Sequence, residues 1–391
     1  MRILYSLPHP ADRLRDFQSG HTIRATALLR ELKKVGNDIF TIEAANVSHA
    51  RSSVGIYRKL IKRLLPRTFS MIIRDFARIR FGQGYAEQLI KTITDFHPDV
   101  LLETHIAFSL SGKIASERTG IPLVIDDCAP AWEEEQHYGV GLRRRALKIH
   151  HTVTRHANLL IAVNNTLYRY LLEEGHPLEK VMKIENGFDA NIFHPFVDGL
   201  KIRFQYNISD AATVIVFVGS FQEFHRVDLL LLAFSKLCTQ FQNLYLLLVG
   251  EGKKYEESKA LATQLNLRDK TIFTSSVQYE CVPEFLAAGD IAIIPATDKY
   301  TNPIKVYEYM ALGKPVVAPN QHNITEVVTH GKDAYLFKPE DVGSMTAALK
   351  TMIESPELRE KLGQGASRLA SENTWEKRAL ALQKALEGLL I

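Results

Sequence analysis

Short apolar runs alternate along the chain with longer stretches in which apolar residues recur at helical spacing. The apolar runs are predicted to be strands, at 2–7, 38–43, 99–103, 122–126, 158–163, 181–185, 213–219, 244–249, 271–274, 291–295, 315–318 and 334–337. Helices are predicted near 20–35, 84–96, 108–117 and 165–174. This alternation is typical of parallel sheets whose strands are connected by crossover helices.

The pattern divides into two halves of similar length, and 391 residues are enough for two domains. We therefore predict an α/β fold of two Rossmann-like domains that face each other across a central cleft. The predicted domains are residues 1–197 and 198–373, with 196–212 as the connecting segment. A last helix at 374–390 carries Trp375 and a predicted apolar face of Leu380, Leu382, Leu386 and Leu389.

Composition and charge exclude several classes of protein. Hydrophobic residues make up 46% of the chain and charged residues 24%, which favours folded domains over extended disorder. The net charge of +4 gives no indication of nucleic-acid binding. The three cysteines are far apart and odd in number, which argues against a disulfide framework. The apolar start is interpreted as a first strand rather than a signal peptide, and no membrane span is predicted, so we expect a cytoplasmic protein.

One segment carries a dense set of chemical signals, from Asn302 to Ala318. Asn302 is predicted to cap a helix whose first residue is Pro303. Lys305 and Glu308 are three residues apart and therefore share one helix face. A helix N-terminus with a lysine suits a phosphate, and a carboxylate one turn further suits a pair of sugar hydroxyls. The segment therefore predicts half of a nucleotide-sugar site.

This segment resembles the donor-site signature of glycosyltransferase family 4, the retaining family with the GT-B fold. The resemblance implies that Glu308 corresponds to the second glutamate of the family's E-x7-E motif, which grips the ribose of the donor. The first glutamate would fall at Tyr300, so the usual carboxylate contact with the sugar is in doubt. The family also implies that the last helix, 374–391, crosses back to the N-terminal domain.

Other parts of the second half are similar to donor-site elements of that family. Gly219 follows a strand and is expected to let backbone amides approach an anion. Where the family often has arginine and lysine on the diphosphate, this chain has Ser220 and His225, although His225 could instead be a surface residue at a helix start. The remaining donor-site candidates are Gly250, Val277, Thr301 and Ile304, with Val277 expected to contact the base through its backbone unless it is simply a strand end.

In the first half, the resemblance implies an acceptor site. Gly20 matches part of a glycine-rich loop that approaches the donor pyrophosphate. His21 and Arg24 share a helix face and are acceptor candidates, with a solvated surface cation as the alternative for Arg24. His105 follows a strand where family members often have a histidine near the sugar. Asp126 and Asp127 follow the next strand and are assigned to the acceptor pocket or to loop capping rather than to a metal, because GT-B enzymes generally need none.

Residues 51–80 contain nine basic residues and one acidic residue, Asp75, interleaved with large apolar residues. An amphipathic basic segment suits the surface of an anionic membrane and the presentation of a lipid-linked acceptor. The alternative is a pair of helices that covers the sheet with a cationic outer face. Arg143, Arg144 and Arg145 form a second basic group.

The resemblance implies a retaining, metal-independent hexosyltransferase without a cofactor. Its donor would be UDP-glucose or a similar UDP-sugar, and its acceptor a saccharide or lipid-linked saccharide of exopolysaccharide or lipopolysaccharide assembly. Lys305, His225 and His105 are the predicted catalytic residues. Two alternatives stay open, a GT-B nucleotide-sugar epimerase or phosphorylase and a non-catalytic scaffold that binds nucleotide sugars. The scaffold is motivated by the residues that replace charged family residues, Tyr300, Ser220 and His225.

Overall fold

The computed structural model describes residues 1–10, 12–14, 20–47, 67–127 and 139–390. Each of the twelve predicted strands is present, and each bound lies within two residues of its predicted position. The strands are β1 Arg2–Leu7, β2 Asp38–Glu43, β3 Val100–Thr104, β4 Leu123–Asp127, β5 Leu159–Ala162, β6 Val181–Lys183, β7 Thr213–Val218, β8 Leu244–Val249, β9 Thr271–Phe273, β10 Ile291–Ile293, β11 Val316–Pro319 and β12 Ala334–Phe337.

The strands form two six-stranded sheets in which neighbouring strands are parallel. The strand order is β2-β1-β3-β4-β5-β6 in the first sheet and β12-β11-β10-β7-β8-β9 in the second. Both orders reverse direction next to the first strand of the sheet, between β1 and β3 and between β7 and β10. Ligands of open parallel sheets bind at this reversal, outside the carboxyl ends of the strands.

Helices connect the strands on both faces of each sheet. They are α1 Gly20–Lys34, α2 Ala44–Val47, α3 Arg67–Phe96, α4 Ser111–Thr119, α5 Arg143–His156, α6 Asn165–Glu173, α7 Leu200–Gln205, α8 Val227–Cys238, α9 Tyr255–Gln264, α10 Val282–Ala288, α11 Ile304–Ala311, α12 His322–Thr325, α13 Val342–Glu354, α14 Pro356–Ala370 and α15 Trp375–Gly388.

The second sheet is covered on both faces, as its central strand shows. Val214 and Val216 of β7 belong to the hydrophobic core on one face, and Ile215 and Phe217 belong to the core on the other. Side chains alternate between the two faces of a strand, so a continuous apolar run is what a sheet buried on both sides requires. This arrangement leaves the strand ends as the places where polar side chains can converge.

The chain divides into two units, Met1–Glu185 with Arg378–Ile391, and Asn186–Lys377. The boundary was predicted after residue 197, twelve residues later than the boundary after Glu185 in the structure. Phe188 and Phe193 belong to the second unit because they pack in one of its cores. The predicted connecting segment 196–212 is also part of that unit, since it forms α7 and buries Ile202 and Ile208. The prediction of two Rossmann-like α/β domains, with a terminal helix that returns to the first, is confirmed.

The terminal helix α15 buries two of the predicted leucines, Leu382 and Leu386, but not Leu380. Trp375, Ala379, Leu382 and Leu386 are at most 1% exposed, whereas Leu380 is 47% exposed. The buried positions follow a spacing of four, three and four residues, which keeps them on one side of a helix with 3.6 residues per turn. Leu380 is one position off this stripe and therefore faces solvent.

The basic regions of the first unit are more helical than the sequence pattern indicates. The helix predicted at 84–96 begins at Arg67, so α3 is one helix of 30 residues. The helix α5, which opens with Arg143, Arg144 and Arg145, has no counterpart among the predicted helices. Residues 51–66 of the predicted membrane-binding segment lie outside the described residues. Within the described part of the chain, no helix combines the length and the apolar character needed to span a membrane.

Candidate functional site

The candidate donor site of the second unit is built around the start of α11, close to the reversal of strand order. The helix begins at Ile304, with Pro303 at the capping position and no side-chain cap. The prediction that Asn302 caps the helix is therefore wrong. Its side chain instead accepts a hydrogen bond from the Asn186 backbone N–H at 3.1 Å and donates one to the Tyr307 hydroxyl at 3.1 Å. Asn302 thus holds the helix start in place.

Lys305 lies in the first turn of α11 and is partly exposed. Its Nζ is 3.0 Å from Nε2 of His225 and 4.9 Å from the centre of the Phe217 ring. His225 Nδ1 contacts the backbone carbonyl of Ser220. A carbonyl only accepts, so Nδ1 must carry the imidazole proton, and Nε2 is left to accept a hydrogen bond from the Lys305 ammonium.

These surroundings change the protonation of both groups. Burial lowers the pKa of Lys305 from its ordinary 10.5 to about 7, although the negative charge of Glu308 acts to raise it. Burial and the Lys305 charge hold the pKa of His225 well below its usual value, so the imidazole is neutral at pH 7. Lys305 is therefore the cation of this pair, and a phosphate beside it would favour its charged form.

Glu308 lies one turn further along the same face of α11 and is 5% exposed. Its Oε1 accepts a hydrogen bond from the Tyr279 hydroxyl at 2.7 Å. Burial raises the pKa of Glu308 to about 7, although Tyr279 and Lys305 both favour the carboxylate. A buried carboxylate with one donor in place has room for further hydrogen bonds, as ribose hydroxyls would provide.

Two glycines bring the strand ends close to this helix. Gly219 follows β7, and a Cβ built on it would lie 2.6 Å from Lys305 Nζ. Gly250 follows the neighbouring strand β8, and a Cβ there would lie 2.1 Å from the Gly219 carbonyl oxygen. The Gly219 N–H donates to the Val249 carbonyl at 3.0 Å, so this amide is already used within the sheet. The absence of a side chain at Gly219 makes room for the Lys305 ammonium.

The loop before α11 is held by buried polar groups. Asp298 is 7% exposed and accepts a hydrogen bond from the Tyr300 N–H at 3.2 Å. Asn323 donates to the carbonyls of Asp298 and Thr301 at 2.8 and 2.9 Å. The loop that carries Tyr300 in place of the family's glutamate is therefore stabilised by its own neighbours.

The remaining donor-side candidates have simpler surroundings. Val277 is partly buried against a core of the second unit, and Ile304 is buried at the first position of α11. Arg226, the residue after His225, forms an ion pair with Asp228 at 2.9 Å. Among the predicted donor-site residues with ionisable side chains, the structure thus brings together Lys305, His225 and Glu308.

The candidates of the first unit lie near the reversal between β1 and β3. Gly20 is the first residue of α1. Arg24 is 1% exposed and pairs with Asp126 through contacts of 2.9 and 3.0 Å. It is therefore not a solvated surface cation, the alternative that the sequence leaves open. His21 instead pairs with Asp12 at 2.5 Å, so His21 and Arg24 have different surroundings despite their helical spacing.

His105 follows β3 and is 8% exposed. Its Nε2 is 3.0 Å from Nδ1 of His150, a buried residue of α5. His150 Nε2 in turn lies 3.4 Å from Oε2 of Glu174, the residue that follows α6. Asp127, which is fully buried, interacts electrostatically with His150. In the part of the chain that the structure describes, no group of His, Cys, Asp and Glu side chains is arranged to hold a metal ion.

Sequence reasoning missed four residues of these sites, Phe217, Tyr279, His150 and Glu174. Phe217 lies near the end of a predicted strand, two residues before Gly219, so its position was a usable signal. The other three reach their partners from separate elements, and Tyr279 is 29 residues away from Glu308. Contacts of this kind have no local spacing rule.

Comparison with known proteins connects the second unit to one family. Residues 199–369 match the family described as Glycosyl transferases group 1. These residues include α11 and the loops after β7 and β8. The predicted class, a glycosyltransferase, is confirmed at the level of this family.

Curated relatives extend the similarity along the chain at low identity. An N-acetyl-alpha-D-glucosaminyl L-malate synthase of Bacillus anthracis is 24% identical over 210 residues, which cover 54% of each chain. The matched part therefore spans about half the length of that relative. A D-inositol 3-phosphate glycosyltransferase of Thermomonospora curvata is 27% identical over 381 residues, which cover 87% of this chain and 88% of the relative.

Solved structures share the fold of the whole chain. Anabaena Alr3699/HepE, solved in complex with UDP-glucose, superposes with a TM-score of 0.74 and 20% identity over 99% of this chain and 100% of its own. Sucrose-phosphate synthase from Thermosynechococcus elongatus superposes with a TM-score of 0.77 and 16% identity, covering 99% of this chain and 98% of its own. At these identities the likeness shows the fold.

Proposed function

Because residues 199–369 form a group 1 glycosyl transferase domain, we propose that this chain is a retaining, metal-independent hexosyltransferase. Its donor is a UDP-sugar, with UDP-glucose as the first candidate, which HepE holds in its solved complex. Its acceptor is a saccharide or a lipid-linked saccharide of exopolysaccharide or lipopolysaccharide assembly. The second unit binds the donor, and residues of the first unit bind the acceptor.

The observation that carries this proposal is the pairing of a cation and a carboxylate on one face of α11. Lys305 is held by His225 at 3.0 Å, next to the close approach that Gly219 permits. Glu308 is buried one turn further along the helix. Successive turns of a helix are about 5.4 Å apart, so the two side chains can contact different parts of one nucleotide.

The residues supply electrostatic stabilisation and placement rather than a strong base. The bond between the anomeric carbon and the phosphate oxygen breaks, and the acceptor oxygen bonds to the same face of that carbon. The acceptor proton passes to the departing phosphate. Lys305 stabilises the negative charge that develops on this phosphate, and Glu308 anchors the ribose. Neutral His225 orients the Lys305 ammonium.

The membrane is proposed as the place where a lipid-linked acceptor is met. Phe69, Ile73 and Phe76 of α3 are between 49% and 59% exposed, and the Arg145 guanidinium lies 5.4 Å from the Phe76 ring centre. Exposed apolar residues flanked by arginines suit the interface of an anionic bilayer. We therefore place the protein in the cytoplasm, at the inner face of the membrane.

Calorimetric titration tests the donor site. Wild-type protein and Glu308→Ala are titrated with UDP, GDP, ADP and UDP-glucose without added metal, and again with EDTA. Loss of two charge-assisted hydrogen bonds, each worth roughly 1.5–3 kcal/mol, should weaken nucleotide binding at least tenfold in the variant. Glu256→Gln, on the exposed face of α9, is a matched control that should bind as the wild type does.

The outcomes separate the alternatives. Selective binding of UDP that Glu308→Ala loses supports the proposal, and equal binding by both proteins contradicts the placement of the site. Binding of UDP without transfer to any saccharide favours the non-catalytic scaffold. That alternative is suggested by Tyr300, which stands where the family has a glutamate. Product formation from UDP-glucose without an acceptor favours the epimerase.

A further inference from the structure

The helix α5 presents a line of cations along one of its faces. Arg144, Lys148 and Arg155 are exposed, and no carboxylate among the described residues forms an ion pair with any of them. Spacings of four and seven residues keep them on one side of a helix with 3.6 residues per turn. From Arg144 to Arg155 the helix rises by about 16 Å. The fold itself therefore leaves these positive charges without a partner.

The same face of α5 borders a surface groove. Leu147, His151, Thr152 and His156 line this groove of about 740 Å³ together with the three cations. The Thr152 hydroxyl donates to the Lys148 carbonyl at 2.6 Å, which leaves its oxygen as an acceptor for another hydroxyl. The groove thus combines positive charge with side chains that can form hydrogen bonds to sugar hydroxyls.

Two carboxylates near the groove already have partners. Glu174 Oε1 lies 3.1 Å from His151 Nδ1, and the Glu174 side chain is only 9% exposed. Glu117 acts on His156 electrostatically, but it forms its own ion pair with Lys113 at 2.5 Å. Neither carboxylate pairs with the line of cations, so the groove keeps its positive charge.

One end of the groove lies at the edge of the first sheet where ligands bind. α5 ends at His156 and β5 begins at Leu159, so the C-terminal end of α5 is close to the amino end of β5. His150, in the middle of α5, is 3.0 Å from His105, which follows the carboxyl end of β3. Arg144 lies six residues before His150, about 9 Å further in the carboxyl direction. A chain bound along α5 would therefore reach the carboxyl ends of the strands.

The groove differs from the apolar surface of α3 that adjoins it. Phe69, Ile73 and Phe76 of α3 are exposed, whereas none of the large apolar side chains that are exposed among the described residues belongs to α5. The Arg145 guanidinium lies 5.4 Å from the Phe76 ring centre, so the two surfaces meet there. Apolar side chains enter a bilayer interface, but cations next to hydrogen-bonding side chains suit a hydrated anion. Charge complementarity therefore favours an acidic saccharide along α5.

We propose that the face of α5 with Arg144, Lys148 and Arg155 binds the carboxylate or phosphate groups of an anionic saccharide, and that this saccharide is the sugar part of the acceptor. The acceptor role rests on the proposed transferase function, whereas binding of the anion does not. A lipid-linked acidic saccharide would place its lipid at α3 and its sugars on α5. The inference gives the acceptor a negative charge, which the proposed function leaves open.

Binding of defined oligosaccharides tests the site without a donor. The probes are oligogalacturonate, which carries a carboxylate on each sugar, oligomannose phosphate, and a neutral malto-oligosaccharide of similar length. Fluorescence anisotropy of the labelled probes should show binding of at least one acidic probe and no binding of the neutral one. The affinity should fall severalfold between about 50 mM and about 300 mM salt, because exposed charges are screened.

A triple variant removes the cations of the groove. Arg144→Gln/Lys148→Gln/Arg155→Gln should bind the acidic probe at least about tenfold more weakly, because three charged contacts are lost. Its substituted side chains are exposed, so we expect it to fold and to bind UDP as the wild type does. Thermal unfolding and UDP titration check both expectations.

A matched control removes the same charge elsewhere in the first unit. It replaces by glutamine three exposed lysines that do not line the groove, Lys33, Lys91 and Lys384. This control should bind the acidic probe as the wild type does. Equal losses in the two triple variants, equal affinity for acidic and neutral probes, or no binding of either acidic probe overturns the proposal.

Vesicles separate a saccharide from a lipid headgroup. The wild type and the α5 triple variant are mixed with vesicles of phosphatidylglycerol and of phosphatidylcholine. If the wild type binds the phosphatidylglycerol vesicles but neither acidic oligosaccharide, and the variant loses that binding, α5 contacts the membrane and the proposal is wrong.

Release of UDP from UDP-glucose tests the acceptor role separately. It should be faster with the bound acidic probe than with the neutral one, and the α5 triple variant should raise KM for the probe while kcat stays the same. If the wild type transfers glucose to another saccharide and the bound probe has no effect, the acceptor role is wrong. A wild type that releases no UDP with any saccharide refutes the proposed function instead, and probe binding then still decides the anion site.

Discussion

At the scale of single residues, Lys305 shows how burial prepares a cation for a ligand. Its ammonium lies between a neutral imidazole and an aromatic ring, and its contact with His225 spans 80 residues of sequence. Burial holds its pKa at about 7, so the site gives up part of its charge when no anion is present. A nucleoside diphosphate would restore that charge.

The first prediction concerns the pH dependence of nucleotide binding. Lys305 is charged below a pH of about 7 and increasingly neutral above it, so binding above pH 7 takes up a proton. Between about pH 8 and about pH 9, where Glu308 is ionised, UDP affinity should fall by up to roughly tenfold. Calorimetry at each pH in buffers of different ionisation enthalpy measures both the affinity and the proton uptake. In Lys305→Arg the guanidinium stays charged, so the affinity should be flat, and a flat wild-type profile would contradict the role of Lys305.

The second prediction concerns the cost of a buried carboxylate. The folded-state pKa of Glu308 is raised from 4.5 to about 7, so its contribution to stability decreases as pH rises from about 4.5 to about 7. At pH 8, Glu308→Gln should therefore increase the free energy of unfolding by about 1–3 kcal/mol, and at pH 4 it should change little. Urea denaturation at the two pH values measures this difference. Glu256→Gln, whose side chain is 82% exposed, should have no such effect.

At the scale of elements, the start of α11 depends on contacts outside the helix. The residue at its N-cap position is Pro303, whose side chain has no acceptor. The helix therefore does not begin with the side-chain cap that its sequence predicts. Asn186 instead donates two hydrogen bonds to Asn302, from its backbone N–H to the side-chain oxygen at 3.1 Å and from its side-chain amide to the backbone carbonyl at 2.6 Å. The segment at the beginning of the second unit therefore sets the position of the helix that carries Lys305 and Glu308.

The third prediction follows from this pair of asparagines. Asn302→Ala removes the acceptor for the Asn186 N–H and the donor to Tyr307, both buried, and should lower the free energy of unfolding by about 1–3 kcal/mol. UDP affinity should decrease as well, because the first turn of α11 loses its support. Asn191→Ala is the surface control, since Asn191 is exposed and hydrogen-bonds to Asp189, two residues away. Equal stability of the two variants would show that the pair does not hold the helix.

At the scale of the molecule, the chain leaves the first unit and returns to it in its last helix. Ala379, Leu382 and Leu386 of α15 are buried, and Arg378 pairs with Glu185 at 3.1 Å within the same unit. Asn37 also donates to Gln383 at 2.6 Å. Residues 378–391 therefore complete the first unit, although they are the most distant from it in sequence.

The fourth prediction compares two leucines of this helix. Leu382 is 1% exposed and Leu380 is 47% exposed. Leu382→Ala should lower the free energy of unfolding by about 2–5 kcal/mol, because it leaves a cavity in a packed core, whereas Leu380→Ala should change it by less than about 0.5 kcal/mol. Thermal and urea unfolding of the two variants measure the contrast. Similar losses in both would place the buried face of α15 where the apolar pattern alone predicts it.

Local patterns predicted the elements well, because a strand buried on both faces requires a continuous apolar run wherever it lies in the fold. All twelve strands and the spacing of Lys305 and Glu308 follow from such short-range rules. The helix α5 was missed because its first turn is basic and its apolar residues are few. The face of α15 was misjudged by one position, since the leucine pattern there fits two adjacent stripes.

The site itself required the folded chain. The sheet order places the ends of β7 and β10 side by side, which brings His225 to Lys305, and the order of the first sheet places His105 beside α5. Which strands become neighbours depends on the packing of whole helices, so no residue spacing encodes these partners. The sequence was sufficient for two parallel α/β units and for a phosphate-binding helix. The protonation of Lys305 and Glu308 depended on burial and on partners from distant segments, which only folding brings together.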